Sequence, residues 1–379
     1  DVGFGSSQIS LFDEGVLIST QNLLLGVLRL SEMSSHWRVN NSLIPEIIEE
    51  IIDNELYTFK KIFLKERQIR TLIATGESIN YMVKRGMREK ERDRFTAEEF
   101  RAFCGRLEKM SLEEIEERFD LSRDYAEILV PSAILYRNVL EITGAEWLWT
   151  PGITLCDGIA AEYAQENRIV KFHHDFDEDI LSTARSMAKR YKCHGAHVRE
   201  VERACEMIFT AMKKYHGLGS RERLLLRIAA ILHDCGKFVS ITRGTESSYG
   251  IIMATEIIGL SHLEREIVAN VVRYNIQEYA YDEVMVETDP SQYAAGVSKQ
   301  DLNILIAKLT AILRLANSMD RSHSQKLKDC RMAVRDNTLV VTTAYPGSIA
   351  LEEYSFGQKA DFFEEVFDIR PVLRQKRGM

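Results

Sequence analysis

The sequence lacks the features that mark membrane, secreted and zinc-ribbon proteins. Its apolar runs stop short of the roughly 18 residues that a membrane-spanning helix needs, and charges such as Arg314 interrupt them. The start shows no charged segment followed by an apolar one, so no secretory signal is visible. None of the six cysteines forms a CxxC pair, which argues against a zinc ribbon and for a reducing, cytoplasmic environment.

Internal repeats and low-complexity tracts are also missing, and the net charge of −8 argues against general nucleic-acid binding. We expect no sequence-specific nucleic-acid partner. The remaining composition is that of an ordinary globular protein, with 45% hydrophobic and 28% charged residues. A chain of 379 residues is longer than a single hydrophobic core usually serves, so we expect two or three domains. The first residue is Asp1 rather than Met, from which we expect the natural N-terminus to lie upstream.

Apolar periodicity divides the chain into a mixed first region, a helical middle and a short mixed end. Strand-like segments alternate with helical ones before the middle, which is typical of an α/β layer. Helical spacing is clearest in Pro45–Lys61, Asp177–Tyr191, Ala196–Tyr215, Ser220–Cys235, His262–Arg273 and Lys299–Ser322. A hairpin pattern then surrounds Asp336-Asn337. The sequence therefore predicts domains at residues 1–165, 166–327 and 328–379.

A glycine-rich turn opens the chain with the sequence Asp-Val-Gly-Phe-Gly-Ser-Ser. Glycines let several backbone amides point into one concavity, and a serine hydroxyl adds a further donor, so the pattern suits an anion. The candidate phosphate-binding residues are Gly3, Gly5, Ser6 and Ser7. The alternative is an ordinary β-hairpin with glycines in its turn, since short glycine motifs recur by chance.

A second constellation lies in the helical middle, in the order His197, His233-Asp234 and Asn317. Imidazole and carboxylate groups from separate helices can converge on a metal that lowers the pKa of a bound water. Apolar neighbours at helical spacing place His197 and His233 on inward faces. These four residues are the candidate ligands, although Asn317 brings no charge and Asp320 stands one turn later. The alternative is a hydrogen-bonded remnant in the core.

Two further segments have polar patterns with a less specific meaning. His173-His174 precedes an acidic run and could bind a metal loosely, or form a solvated linker. Met87–Arg94 is charged and predicts a surface loop. Neither pattern identifies a chemistry.

The opening segment DVGFGSSQISLF resembles the second phosphate loop of the exopolyphosphatase/guanosine pentaphosphate phosphatase family. The match continues in order through Leu25–Glu32, Ala74–Ser78 and Leu155–Gly158, and it covers essentially the whole chain. The histidine order is similar to that of HD-type phosphohydrolases. The resemblance implies an α/β actin-like, ribonuclease H-like ATPase-fold domain, then an all-α HD-type domain, then a small α/β C-terminal domain.

The resemblance implies a hydrolase that releases terminal phosphate from polyphosphate or guanosine pentaphosphate with Mg²⁺, and a homodimer. The family's first phosphate loop and catalytic glutamate lie upstream of the matched segments, so no catalytic residue is named and the chain itself is expected to be inactive. Phe4, Gln8 and Cys156 replace a glycine, a glutamate and an arginine of the family, and each change weakens anion or metal binding. The alternative is a non-catalytic module that binds polyphosphate or an alarmone.

Overall fold

The structure, a computed structural model, describes residues 1–36, 43–65, 67–87, 92–172, 174–281, 286–293 and 296–376. The chain forms two compact units. We call Asp1–Leu11 with Thr20–His174 the mixed unit, and Phe12–Ser19 with Asp175–Met379 the helical unit. No helix within the described ranges combines the length and apolarity needed to cross a bilayer.

The mixed unit combines short strands with helices. The strands are β1 (Ser7–Asp13), β2 (Val16–Leu23), β3 (Thr71–Ile73), β4 (Arg94–Thr96) and β5 (Trp147–Trp149). The turn-side residues of β1 and β2, within Phe12–Ser19, are assigned to the helical unit. The helices are α1 (Val27–Ser35), α2 (Ile44–Phe59), α3 (Glu77–Tyr81), α4 (Ala97–Leu107), α5 (Leu112–Phe119), α6 (Arg123–Glu127), α7 (Leu129–Thr143) and α8 (Leu155–Glu166). Strands β1 and β2 pair in a hairpin, and a small sheet has the order β3-β5-β4.

The core of the mixed unit forms where α2 and α4 both pack on α7. The apolar positions Ile48, Ile52 and Leu56 recur every four residues and are fully buried, which is why this segment is helical. Strand β5 pairs parallel with β3 and antiparallel with β4. Capping boxes begin α4 at Thr96 and α5 at Ser111.

The helical unit contains long helices and a C-terminal sheet. Its helices are α9 (Phe176–Arg190), α10 (Gly195–Ala211), α11 (Ser220–Leu232), α12 (Gly244–Ala254), α13 (His262–Arg273), α14 (Lys299–Ser318) and α15 (Ala350–Phe367). Its strands are β6 (Arg331–Arg335), β7 (Thr338–Thr343) and β8 (Arg370–Gln375). A 3₁₀ turn, Cys235–Phe238, follows α11, and another, Pro290–Gln292, precedes α14.

One apolar core joins the helices of this unit to its sheet. Helix α10 packs on α11 and α14, while α15 packs on both α14 and β8. Leu339 and Val341 of β7 and Phe363 of α15 belong to the same buried cluster as the long helices. Strands β6 and β7 meet at Asp336-Asn337, where both residues have positive φ, as the predicted hairpin requires.

Neither predicted domain boundary coincides with the boundary between the two compact units. Position 165/166 lies in the last turn of α8, and position 327/328 lies inside the continuous core of the helical unit. The division into three domains therefore stays a prediction. Positions 88–91 of the predicted surface loop Met87–Arg94, and position 173 of the His173-His174 pair, lie outside the described residues.

Candidate metal centre

His197 lies in the first turn of α10. Nδ1 of His194 accepts a hydrogen bond from the backbone N–H of His197 at 3.2 Å, so a side chain caps the helix start. Buried residues follow at helical spacing on the same face, and they carry the His197 ring into the core, where it is 1% exposed.

His233 and Asp234 follow helix α11, whose last five residues, Ile228–Leu232, are apolar and buried. The 3₁₀ turn after them approaches α12 so closely that a Cβ on Gly236 would lie 2.0 Å from the carbonyl oxygen of Gly244. The N–H of Gly236 also donates to Oγ of Ser248 at 2.7 Å. Because only glycine permits this approach, Gly236 fixes the position of the His233-Asp234 pair.

The hydrogen bonds of the His197 and His233 rings determine which ring nitrogens remain available to bind a metal. Nδ1 of His233 lies 2.7 Å from the carbonyl oxygen of Ala230, which can only accept, so this nitrogen carries the hydrogen. Nδ1 of His197 lies 2.8 Å from Oδ2 of Asp320 and donates to it. The Nε2 atoms of His197 and His233 then face each other at 3.2 Å.

Two facing Nε2 lone pairs repel unless a proton or a metal ion lies between them. Burial lowers the pKa of His233, and Asp234 opposes this only in part. The neutral ring therefore has a lone pair on Nε2 at pH 7. This arrangement suits a metal, which also needs neutral imidazole.

The carboxylate of Asp234 completes the cluster. Its Oδ1 lies 3.6 Å from Nε2 of His233, and ligand atoms of His197, His233 and Asp234 all lie within 4.8 Å of one another. Ligands about 2.0–2.1 Å from a tetrahedral ion are about 3.4 Å apart, so the two shorter separations fit such an ion. Burial would raise the pKa of Asp234, but His233 and Lys237 outweigh it and hold the carboxyl ionised.

Asp320 is the residue of this segment whose carboxylate is hydrogen-bonded to His197. Asp320 is fully buried, and its oxygens also accept hydrogen bonds from the backbone N–H of Gln325 at 2.7 Å and from its side-chain amide at 3.2 Å. These bonds hold the carboxylate where it orients the His197 ring. Asn317 is half-buried in the last turn of α14, and its role as a ligand stays a prediction.

Two residues near the cluster escaped the sequence analysis. The ring of His323 stacks on that of His197, with centroids 3.8 Å apart and planes 7° from parallel. It lies in a loop after α14, where no periodicity predicts a direction. Nζ of Lys237 lies 2.7 Å from Oδ2 of Asp234, and its place three residues after that aspartate was a signal that could have found it.

A cleft of about 190 Å³ opens beside the cluster, with His233 and Asp234 in its wall. Lys237, Arg243 and Thr245 also line it, and they offer positive charge and a hydroxyl. Arg243 is largely exposed and pairs with Glu246 at 3.1 Å. The cleft therefore suits a small anionic ligand that is rich in oxygen.

The glycine loop of the mixed unit uses its polar atoms differently. The carbonyl oxygens of Gly3 and Phe4 accept hydrogen bonds from the first amides of α1, at 3.1 Å from Val27 and 3.0 Å from Leu28. The hydroxyl of Ser7 donates to the carbonyl oxygen of Leu25. Ser7 is buried, whereas Gly3, Gly5 and Ser6 are exposed, and phosphate contact by these four residues stays a prediction.

Residues 181–349 match the family model described as Ppx/GppA phosphatase, domain III. This match confirms the family resemblance found in the sequence, over a segment that makes up less than half of the chain. The matched Ppx/GppA domain includes all of the candidate metal ligands, from His197 to Asn317.

Solved Ppx/GppA structures resemble the chain over less than half of its length. A family member from Aquifex aeolicus is 15% identical, with a TM-score of 0.37, over 46% of this chain and 56% of that one. An exopolyphosphatase from Cytophaga hutchinsonii is 14% identical, with a TM-score of 0.37, over 45% of this chain and 56% of that one. The match thus spans little more than half of those Ppx/GppA structures, and no curated protein matches the sequence.

Proposed function

We propose that the protein is a metal-dependent phosphohydrolase that releases a terminal phosphate from a phosphoanhydride. The supporting observation is the pair of Nε2 atoms of His197 and His233, which face each other at 3.2 Å beside the Asp234 carboxylate. The match of residues 181–349 to Ppx/GppA phosphatase domain III supports an exopolyphosphatase-like activity. Polyphosphate and guanosine pentaphosphate are the candidate substrates, because both end in a phosphoanhydride.

The donor set favours a first-row transition ion or zinc at this cluster. Imidazole suits such ions, whereas Mg²⁺ prefers oxygen ligands and retains several waters. We therefore assign Mn²⁺ or Zn²⁺ to His197, His233 and Asp234 as the proposed ion. The Mg²⁺ implied by the family resemblance fits a phosphate loop better than this cluster.

The chain's own residues supply orientation and charge. A divalent ion held there would lower the pKa of a bound water and polarise a phosphoryl oxygen. Asp320 and the Ala230 carbonyl hold the two rings so that both Nε2 atoms point into the cluster. Lys237 and Arg243 line the cleft beside it and would bind the phosphate oxygens.

Metal content and phosphate release test this proposal together. The sequence alone led us to expect an inactive chain, but the histidine cluster supplies a metal site that does not depend on the upstream loop. We therefore expect one equivalent of Mn²⁺ or Zn²⁺ per chain, release of phosphate from one of the two substrates, and loss of both in His233→Ala. The matched control is His262→Ala, which removes an exposed histidine at the start of α13 in the same unit. This control should keep its metal and its turnover.

Other outcomes would contradict the proposal in different ways. Phosphate release that survives His233→Ala but disappears in Ser6→Ala would move the chemistry to the glycine loop. If the protein neither binds metal nor releases phosphate, the remaining interpretation is a non-catalytic binding module. The homodimer implied by the resemblance is a separate prediction, which light scattering would check.

A further inference from the structure

A second cavity, of about 630 Å³, lies in the helical unit and shares no lining residue with the cleft beside His233. Three segments line it: the first half of α10, residues 324–329 after α14, and residues 343–346 at the end of β7. Its volume is within the about 300–1,000 Å³ range of small-molecule sites. The chemistry of its walls therefore indicates what it can bind.

Positive charge predominates in the lining of this cavity. Arg203 is bound to Glu200, with Nε 2.9 Å from Oε2, so its charge is compensated. Nζ of Lys326 is likewise compensated, because it lies 3.0 Å from Oε2 of Glu352.

Two further cations line the cavity. Among the described residues, Arg199 and Lys328 have no ion-pair partner, and both are exposed. Asp329 offsets only one of these two charges. Ala196 lines the cavity from the first turn of α10, where the helix dipole also favours an anion. The lining thus selects a negatively charged ligand.

An aromatic ring in a fixed position adds a second requirement. Tyr345 is 36% exposed and lines the cavity. The side-chain amide of Gln375 donates to the carbonyl oxygens of Tyr345 and Gly347, each at 2.8 Å. The ring lies against the backbone of Gly347, and the N–H of Tyr345 donates to Oγ1 of Thr343 at 3.1 Å. The Tyr345 ring is therefore held in place before a ligand binds.

We propose that this cavity binds a nucleoside di- or triphosphate, with its phosphates on Arg199 and Lys328 and its base stacked on Tyr345. A bare phosphate chain would leave the aromatic ring without a role. An uncharged nucleoside would leave the cations without one. The two features together fit a ligand that has both a flat ring and phosphate groups.

Calorimetric titration with ADP, adenosine and tripolyphosphate tests this proposal. We expect ADP to bind one site per chain and more tightly than either of the others. Arg199→Ala and Lys328→Ala should each weaken ADP about ten-fold or more, because each removes a charged contact. Tyr345→Leu should weaken ADP about five-fold or more and leave tripolyphosphate unchanged.

Two control variants make the result specific. Lys213→Ala, which removes an exposed lysine just after α10, should bind ADP like the wild type. His233→Ala should also bind ADP normally, so the outcome does not depend on the proposed hydrolytic function. Unchanged unfolding temperatures would show that the variants are folded. The proposal is overturned if ADP does not bind, if Arg199→Ala and Lys328→Ala bind it normally, or if tripolyphosphate binds equally well and Tyr345→Leu has no effect.

Discussion

The glycine loop of the mixed unit and the histidine cluster of the helical unit both have the sequence pattern of a site, but folding leaves different atoms available in each. In the loop, the Gly3 and Phe4 carbonyls and the Ser7 hydroxyl form hydrogen bonds inside the unit. In the cluster, the bonded atoms are Nδ1, and the Nε2 atoms of His197 and His233 face each other. The two Nε2 atoms that folding places face to face make the cluster the stronger candidate for a metal site.

A glycine holds each of these two regions in place. A Cβ on Gly26 would lie 2.1 Å from the carbonyl oxygen of Phe4, and one on Gly236 would lie 2.0 Å from that of Gly244. The close approach is of the same kind in both units. The difference between the loop and the cluster therefore lies in the polar side chains and not in how tightly the backbone is packed.

The largest expected effect is that of Gly236→Ala. The new methyl group would overlap backbone atoms of α12, including the Ser248 nitrogen at 2.3 Å, which side-chain rotation cannot relieve. We expect the free energy of unfolding of the helical unit to fall by about 3 kcal/mol or more, with loss of bound metal. Urea unfolding and metal analysis measure both. Gly250→Ala, on α12 with open space at its Cβ, is the control. A variant with wild-type stability and metal content would contradict the assigned role of Gly236.

Removing a ring from the cluster should act on metal and not on fold. We expect His197→Ala to lower the affinity for Mn²⁺ or Zn²⁺ by more than about 100-fold, since it removes a ligand and not merely a ligand's support. Competition with a chelator measures this affinity. The corresponding change in the glycine loop, Ser6→Ala, should leave metal affinity unchanged. Equal effects of the two variants would remove the distinction between the regions.

Asp320→Asn tests the orienting carboxylate. The amide keeps the shape of the side chain but removes the charge that accepts the Nδ1–H of His197. We expect metal affinity to fall about 10- to 100-fold, less than for His197→Ala. Asn317→Ala is the informative companion: a larger loss there would show that Asn317 is a ligand and that Asp320 is not the important residue of this segment.

The smallest effect should separate two neighbouring serines of the loop. Ser7→Ala leaves the buried Leu25 carbonyl without its donor, so the mixed unit should lose about 1–3 kcal/mol of unfolding free energy. Ser6 is exposed, and Ser6→Ala should change stability by less than about 0.5 kcal/mol. Urea unfolding compares them. The reverse order would show that the loop is not held by Ser7.

Local signals in the sequence predicted most of the helices that position the cluster, but not α12. Helix α13 was predicted from His262 to Arg273 and has those bounds, because Ser261 caps it and its apolar residues recur at helical spacing. Helix α12 was not predicted, since no capping box begins it and glycine and serine dilute its pattern. It forms where the turn at Gly236 and helix α13 pack against it, which is a tertiary effect.

The same limit applies to the ligands. Helical periodicity predicted that His197 and His233 point inward, and the structure brings them together with Asp234. The roles of Asp320 and His323 depend on the path of the chain after α14, where His323 and Gln325 both have positive φ. No pattern in neighbouring residues predicts such a path, because tertiary contacts determine it.

The stacking of His323 on His197 provides a way to observe the cluster in solution. Two parallel imidazole rings 3.8 Å apart place each ring's protons in the shielding region of the other. The proton resonances of both rings should therefore be displaced upfield, and should return toward ordinary positions if the loop leaves the cluster. Nuclear magnetic resonance can thus follow the assembly of this part of the molecule before any ion or substrate is added.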